Sequence, residues 1–316
     1  LDKPFTGITD QVRILQGRGL GVDDEPSHVL AREGYYQVVN GYNQPFLKTN
    51  RNQPDKYRDG VEFRQIYALF CFDRELRMLV FKYCEQAEAK LRTVCSYVFT
   101  ERHPDEKHPY LNTANYRSTG DSYHTADWYM ERVGDLIGTF RHVIGLQPYD
   151  RPLFEKDYIR FYLREHGHVP LWVLANSLSL GSMFKFFCYQ TDSTRNAIAH
   201  EYSRQYGFDH SGQARFYFHD LRRCYNHIKD FRNICAHDER LYCARVDPSK
   251  GTSVAVLLKD LDAVLTAESS RELRTSLINL VQSLFGRVPD YVFEHITSGM
   301  GFPDKAFASI TSDVVN

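Results

Sequence analysis

The chain has 316 residues, of which 42% are hydrophobic and 25% charged, which supplies a full core and excludes an intrinsically disordered protein. A formal net charge of -1 excludes a global positive field, so any contact with nucleic acid must come from a local patch. Seven cysteines, an odd number without a C-x-x-C pair, fit neither a disulfide framework nor a zinc site and point to a reducing compartment.

The opening LDKPFTGITDQ lacks the basic start, apolar stretch and small-residue cleavage site of a signal peptide, so a cytoplasmic location is expected. A short helix is expected from about Asp10 to Arg18, capped by Thr9 and stopped by Gly19, and a second from Ser27 to Gly34. YYQVVNGYNQPFL then reads as a compact turn and packing segment, and NRNQPDKYRDG as an exposed loop. From Val61 to about Glu101, Phe63, Ile66, Phe70, Leu76, Leu79, Tyr83, Ala87, Leu91, Val94 and Val98 keep three- and four-residue steps, the mark of one or two long amphipathic helices.

ERHPDEKHPYLNTANYRSTGD, punctuated by Pro104, Pro109 and Gly120, reads as a long loop. Helices are expected at about 122–144, 153–166, 170–188, 194–206 and 214–240, then, after the loop VDPSKGTS, at 254–266, 270–285 and 288–296. Pro170 to Tyr189 is nearly long enough for a bilayer, but Asn176, Lys185 and three serines make a buried bundle helix the expectation, with no membrane partner. The whole predicts an all-α protein, a helical N-terminal part over 1–150 and a C-terminal part over 151–316, packed as one unit without a flexible linker.

The chemistry concentrates in HDLRRCYNHIKDFRNICAHDERLYCAR, His219 to Arg245. Leu221, Tyr225, Ile228 and Phe231 step along one helical face, while Arg222, Arg223, Lys229 and Arg232 supply positive charge. Asn233 and His237, four residues apart, share a face, and Arg232 lies about 100° round from Asn233. These residue types suit RNA cleavage without a metal. A histidine, titrating near neutrality, takes a proton from the ribose 2′-hydroxyl or gives one to the leaving 5′-oxygen. An arginine fork holds the charge growing on the phosphorane, and an asparagine orients phosphate or imidazole. The expected product is a 2′,3′-cyclic phosphate, and DNA lacks the nucleophile.

An arginine followed at this distance by a histidine is common: Arg222 with His227, Arg195 with His200 and Arg160 with His166 also satisfy it. RNAIAH, Arg195 to His200, is the sharpest rival, read either as a second active site or RNA clamp or as a solvated helix face. The loop histidines His103, His108 and His124 lack metal-ligand spacing, and no glycine-rich phosphate loop is present, so neither a metal nor a nucleotide cofactor is expected.

Several stretches carry a family likeness. ITDQVRILQGRGLGVDD with LAREGYYQVVNGYNQPF, then FRQIYALFCFDRELRMLVFKYCEQAEAKLRT with its Phe-Asp-Arg-x-Leu-Arg run, PLWVLANSLSLGSMFKFF, FRNICAHDERL and the closing MGFPDKAF together resemble the Abi-like (abortive infection) family over roughly residues 4 to 307. The resemblance implies a HEPN-like helical fold, a role as a phage-defence toxin, and a ribonuclease site on Arg232, Asn233, Ala236 and His237, followed by Arg240. It also implies a site composed across a homodimer, and a small structured RNA as regulator, in the manner of a toxin–antitoxin pair. Arg222, Arg223, Lys229 and Arg240 are the expected RNA-binding residues. Two departures stand out: Asp238 replaces a second histidine, and LYCAR replaces a Leu-Trp-Asn-Arg continuation. RNAIAH falls where the family shows an ordinary helix.

A non-enzymatic reading stays open beside the nuclease, in which Arg232 and Lys229 grip phosphates in an RNA-binding or phage-sensing module. So does a plain polar cluster inside a bundle.

Overall fold

The computed structural model describes residues 5–22, 26–48, 55–146, 156–210, 212–247, 249 and 251–302. Among these the fold is all-α, with three isolated bridge pairs as the sole extended pairing. The helices are α1 Ile8–Gly17, α2 Pro26–Glu33, α3 Phe63–Arg102, α4 Ala126–Val143, α5 Asp157–His166, α6 Leu171–Leu174, α7 Leu180–Tyr189, α8 Asp192–Asp209, α9 Phe218–Ala236, α10 Val254–Asp262, α11 Ala267–Leu284 and α12 Asp290–Gly299. Part of the expected loop at 50–60, the start of the helix expected from 153, part of the loop at 247–253 and the end of MGFPDKAF lie outside the described residues.

The chain divides into two compact units that alternate along the sequence, one drawn from 1–82, 231–258 and 271–316, the other from 83–230 and 259–270. In the first unit, the opening turns of α3 bury Phe63, Ile66, Leu69, Leu76 and Val80, and α9 enters the unit at the buried Phe231. In the second, α4 packs on α7, and a ring cluster fills the core. Phe99 meets Phe186 edge-on at 5.0 Å, and Phe140 meets both Phe186 and Tyr110 at 5.9 and 5.8 Å. Such pairs each contribute about 0.5–1.5 kcal/mol beyond the area they bury.

The segment from Val61 forms one helix of 40 residues, α3, because it holds neither glycine nor proline until His103-Pro104 stops it. The helix expected at 170–188 is instead broken. α6 ends in a 3₁₀ turn, Leu178 is extended at φ -95° and ψ 144°, and α7 starts afresh behind Ser179, whose Oγ accepts the Ser182 N–H at 3.1 Å. The freed Leu178 carbonyl accepts from Arg92 at 2.9 Å, which holds the break open. Among the described residues no helix is long and apolar enough to cross a membrane. At the N-terminal end, α1 begins at Ile8 behind Gly7 with no side-chain cap, so Thr9 lies inside the helix and is not its cap.

Candidate active site

RNICAH closes α9 within the first unit. α9 ends at Ala236 through a left-handed residue: Asp238 sits at φ 56°, the His237 N–H returns to the Asn233 carbonyl at 3.0 Å, and the Glu239 N–H to the Ile234 carbonyl at 3.1 Å. This last i-to-i-5 bond marks a Schellman stop, which usually places glycine where Asp238 stands. A side chain there costs about 1–2 kcal/mol, so something must hold it.

What holds it comes from α3. The Arg77 guanidinium, 4% exposed, pairs with the Asp238 carboxylate and donates to the Glu239 carbonyl at 3.3 Å. One turn earlier, Asp73 is fully buried and accepts four hydrogen bonds: Arg77 Nη1 at 2.9 Å, the Tyr42 hydroxyl at 2.8 Å, and the Leu241 and Tyr242 backbone N–H groups at 3.0 and 2.7 Å. Burial pushes the Asp73 carboxyl above the ordinary carboxylate range, and the four donors pull against that, a setting built for the ionised form. The run FDRELR is therefore a clamp on the end of α9 and the six residues after it. Arg74 of the same run bonds Glu33 at 2.6 Å, fixing the end of α2.

Beyond α2, Gly34 at φ 85° ends the helix and a single π-helical turn, Tyr36–Asn40, follows. Val38 and Val39 anchor this turn in the core, and Tyr42 fastens its far end to Asp73. Its other residues, Tyr36, Gln37 and Asn40, are exposed. Together with His237, Arg240 and Arg245 they line a cleft of about 550 Å³. π-Helical turns recur at functional sites because the extra residue re-aims side chains.

His237 is exposed, and its ring makes no hydrogen bond among the described residues. Arg240 donates to the Gly41 carbonyl at 3.0 Å, and Arg245 to the Ala244 and Gly299 carbonyls at 2.8 and 2.7 Å. Neither forms an ion pair among the described residues, so both guanidinium groups are left to meet an anion in the cleft. Asn233 is exposed and Arg232 half-buried, its guanidinium 5.4 Å over the Phe81 ring. Neither residue lines the cleft with His237. Between Asn233 and His237, burial pushes the Cys235 thiol up to about 12, which favours its protonated form.

The other residues singled out in the sequence belong to the second unit. Arg223 faces Asp260 at 4.0 Å, and Lys229 pairs with Asp230 at 3.0 Å and lies 5.4 Å over the Phe184 ring. Arg222 is half-buried. Arg195 is 7% exposed, pairs with Asp192, bonds the Cys188 carbonyl at 3.3 Å and stacks 4.0 Å over the Phe218 ring. Its guanidinium is thus committed inside the unit, while His200 is exposed beside a separate cleft. Among the described residues no group of three or more His, Cys, Asp or Glu side chains is placed to hold a metal ion.

The model of the Abi-like protein family matches residues 28–243, more than half of the chain. The chain belongs to the Abi-like family. No curated protein and no solved structure matches it. Membership ties this Abi-like chain to phage abortive infection, and the matched span contains the FDRELR clamp, the π-helical turn and RNICAH together. Tyr36, Gln37 and Asn40 escaped the motif-based reading. Their signal was faint, two successive tyrosines in a segment otherwise assigned to packing.

Proposed function

We propose that this Abi-like protein is a HEPN-type endoribonuclease that acts in abortive infection and cleaves RNA by metal-independent attack of a 2′-hydroxyl. The observation that carries the reading is an exposed imidazole, His237, in one cleft with the guanidinium groups of Arg240 and Arg245, which bond backbone carbonyls and form no ion pair among the described residues. In the reaction His237 removes the proton from the 2′-hydroxyl; its oxygen attacks the adjacent phosphorus, the bond to the 5′-oxygen breaks, and a proton returns to that oxygen. The products are a 2′,3′-cyclic phosphate and a 5′-hydroxyl end. Guanidinium groups stabilise the phosphorane, and Arg232 and Asn233 join the site from a second copy in a homodimer, consistent with their lying outside the His237 cleft. A small structured RNA that holds the toxin silent in the cytoplasm completes the proposal.

The test is cleavage of single-stranded RNA by purified full-length protein in chelator. His237→Ala, an exposed position, is expected to abolish both the cyclic-phosphate product and toxicity while leaving thermal unfolding unchanged. Cleavage that persists in this variant refutes the assignment.

One observation favours a second reading, an RNA-binding or sensing module without chemistry: within one protomer Arg232 does not share the cleft of His237. Under it, Arg232→Ala weakens RNA binding with a shallower salt dependence, and no product forms under any condition.

A further inference from the structure

The cleft beside His237 has a wall that cleavage chemistry does not use. Tyr36 is 75% exposed, an unusual setting for a large ring on a turn whose neighbours Val38 and Val39 are wholly buried. The turn beneath it is anchored: the left-handed Gly34 sets its entry, the two buried valines hold its inner side and the Tyr42 bond to Asp73 holds its exit. Beside it, Gln37 and Asn40 offer amides with both donors and acceptors. The same cleft is lined by Arg245 and by Arg240, which donates to the Gly41 carbonyl just past the turn.

The charges in this cleft sort by role. The Asp238 carboxylate is occupied by Arg77. Glu239, also at the cleft, opposes a phosphate in its immediate vicinity but accepts hydrogen bonds from the amine or ring N–H of a base. The lining therefore divides by chemistry: a flat apolar ring, two amides and a carboxylate suit a base, and two guanidinium groups suit its phosphates. That division matches single-stranded nucleic acid, where base stacking on aromatic rings and backbone contacts to cations act together.

We propose that Tyr36 is the stacking platform of a nucleotide subsite beside His237, taking one base of a single-stranded RNA while Arg240 and Arg245 hold the adjoining phosphates. The proposal rests on the ribonuclease reading for its choice of RNA, and its test is designed to separate the two.

The probe is a 10-nucleotide single-stranded RNA with 2′-O-methyl riboses, which cannot be cleaved by 2′-attack, carrying 2-aminopurine at successive positions. Binding to full-length protein is followed by anisotropy and by quenching of 2-aminopurine. Tyr36→Ala is expected to weaken binding by about ten- to a hundredfold, the usual effect of losing one stacked base, and to abolish the quenching. Tyr36→Phe keeps the ring and is expected to stay within about twofold of the parent protein. Arg245→Ala is expected to lower the slope of log affinity against log salt by about 0.7, the share of one phosphate on a single strand, whereas Tyr36→Ala leaves that slope unchanged. Binding by Tyr36→Ala at parental strength, or a Tyr36→Phe protein that loses as much as the alanine variant, overturns the proposal. If the parent protein binds in this Tyr36-dependent way yet never cleaves unmodified RNA, the nuclease reading falls and the subsite stands. If it cleaves unmodified RNA while Tyr36→Ala binds the probe normally, the subsite falls and the nuclease reading stands.

Discussion

Asp73→Asn is the sharpest perturbation of the clamp because it changes almost no volume. In the parent protein Oδ2 takes three donors, from Tyr42, Arg77 and Leu241, and Oδ1 takes the Tyr242 N–H at 2.7 Å. An asparagine satisfies at most one side. With its carbonyl oxygen at the Oδ2 position, its NH₂ meets the Tyr242 N–H, donor against donor; flipped, it meets three donors at once. Breaking a buried charged pair from one side costs about 3–5 kcal/mol, and the lower figure applies here because Arg77 retains Asp238. About 3 kcal/mol corresponds to a drop of roughly 150-fold in the protection of the affected amides, at about 1.4 kcal/mol per tenfold. Hydrogen exchange read on peptides spanning 238–245 measures it directly, because the Leu241 and Tyr242 amides are themselves the donors. Protection within about threefold of the parent protein refutes the clamp. Under the proposed nuclease reading, Asp73→Asn is also expected to lower RNA cleavage although Asp73 lies outside the cleft.

At the helix stop, Asp238→Gly and Asp238→Ala both remove the carboxylate from Arg77, but only alanine keeps a Cβ at φ 56°; glycine is expected to be the more stable by about 1 kcal/mol, seen as a higher urea midpoint. In the second unit the Tyr129 hydroxyl, with the Tyr123 and His124 amides, holds the Asp121 carboxyl down at about 2. A depressed carboxylate stabilises the fold above its unfolded value of about 3.9 and loses that contribution as pH falls toward 2, so Tyr129→Phe is expected to move the Asp121 titration upward, read from its carboxyl carbon shift. Arg195→Lys loses the planar stack over Phe218 and is expected to cost about 1–2 kcal/mol in urea unfolding with cleavage per folded molecule unchanged; lost cleavage in a folded variant assigns RNAIAH to the site.

Long periodic segments were legible in the sequence because their physics is local. α3 needs only a three- and four-residue apolar rhythm and the absence of glycine and proline, both visible over forty residues. The break between α6 and α7 was not seen, since the apolar rhythm continues through it; the sole written hint was Ser179 three residues before Ser182, a capping spacing that rhythm outweighed. Arg195 and Arg232 open the same Arg-Asn pair, and no local rule separates them, yet one is 7% exposed and ion-paired while the other lies half-buried over Phe81. The cleft wall at Tyr36 was hidden for a similar reason. A π-helical turn depends on anchors elsewhere, here Val38, Val39 and the Tyr42 bond to Asp73, and no spacing within five residues announces it.

The polar pair Asp73 and Arg77 shows where the boundary of sequence reading falls. Two charged residues in an otherwise apolar helical stripe announce that a partner exists, because neither is buried without one. Apart from Tyr42 and each other, their partners lie more than 160 residues further on, and three of them are backbone groups that carry no side-chain signature. This link joins FDRELR to RNICAH, two stretches far apart in the sequence that both lie within the matched span. His237 is the first residue past α9, and its direction follows from the left-handed Asp238 and the pinned amides of Leu241 and Tyr242. General acid–base transfer loses about a hundredfold when the reacting groups are misplaced by about 1 Å. A frayed helix end tolerates far more motion than that. An imidazole at a helix end can therefore serve such chemistry only where something stops the fraying, and in this chain that part falls to Asp73 and Arg77.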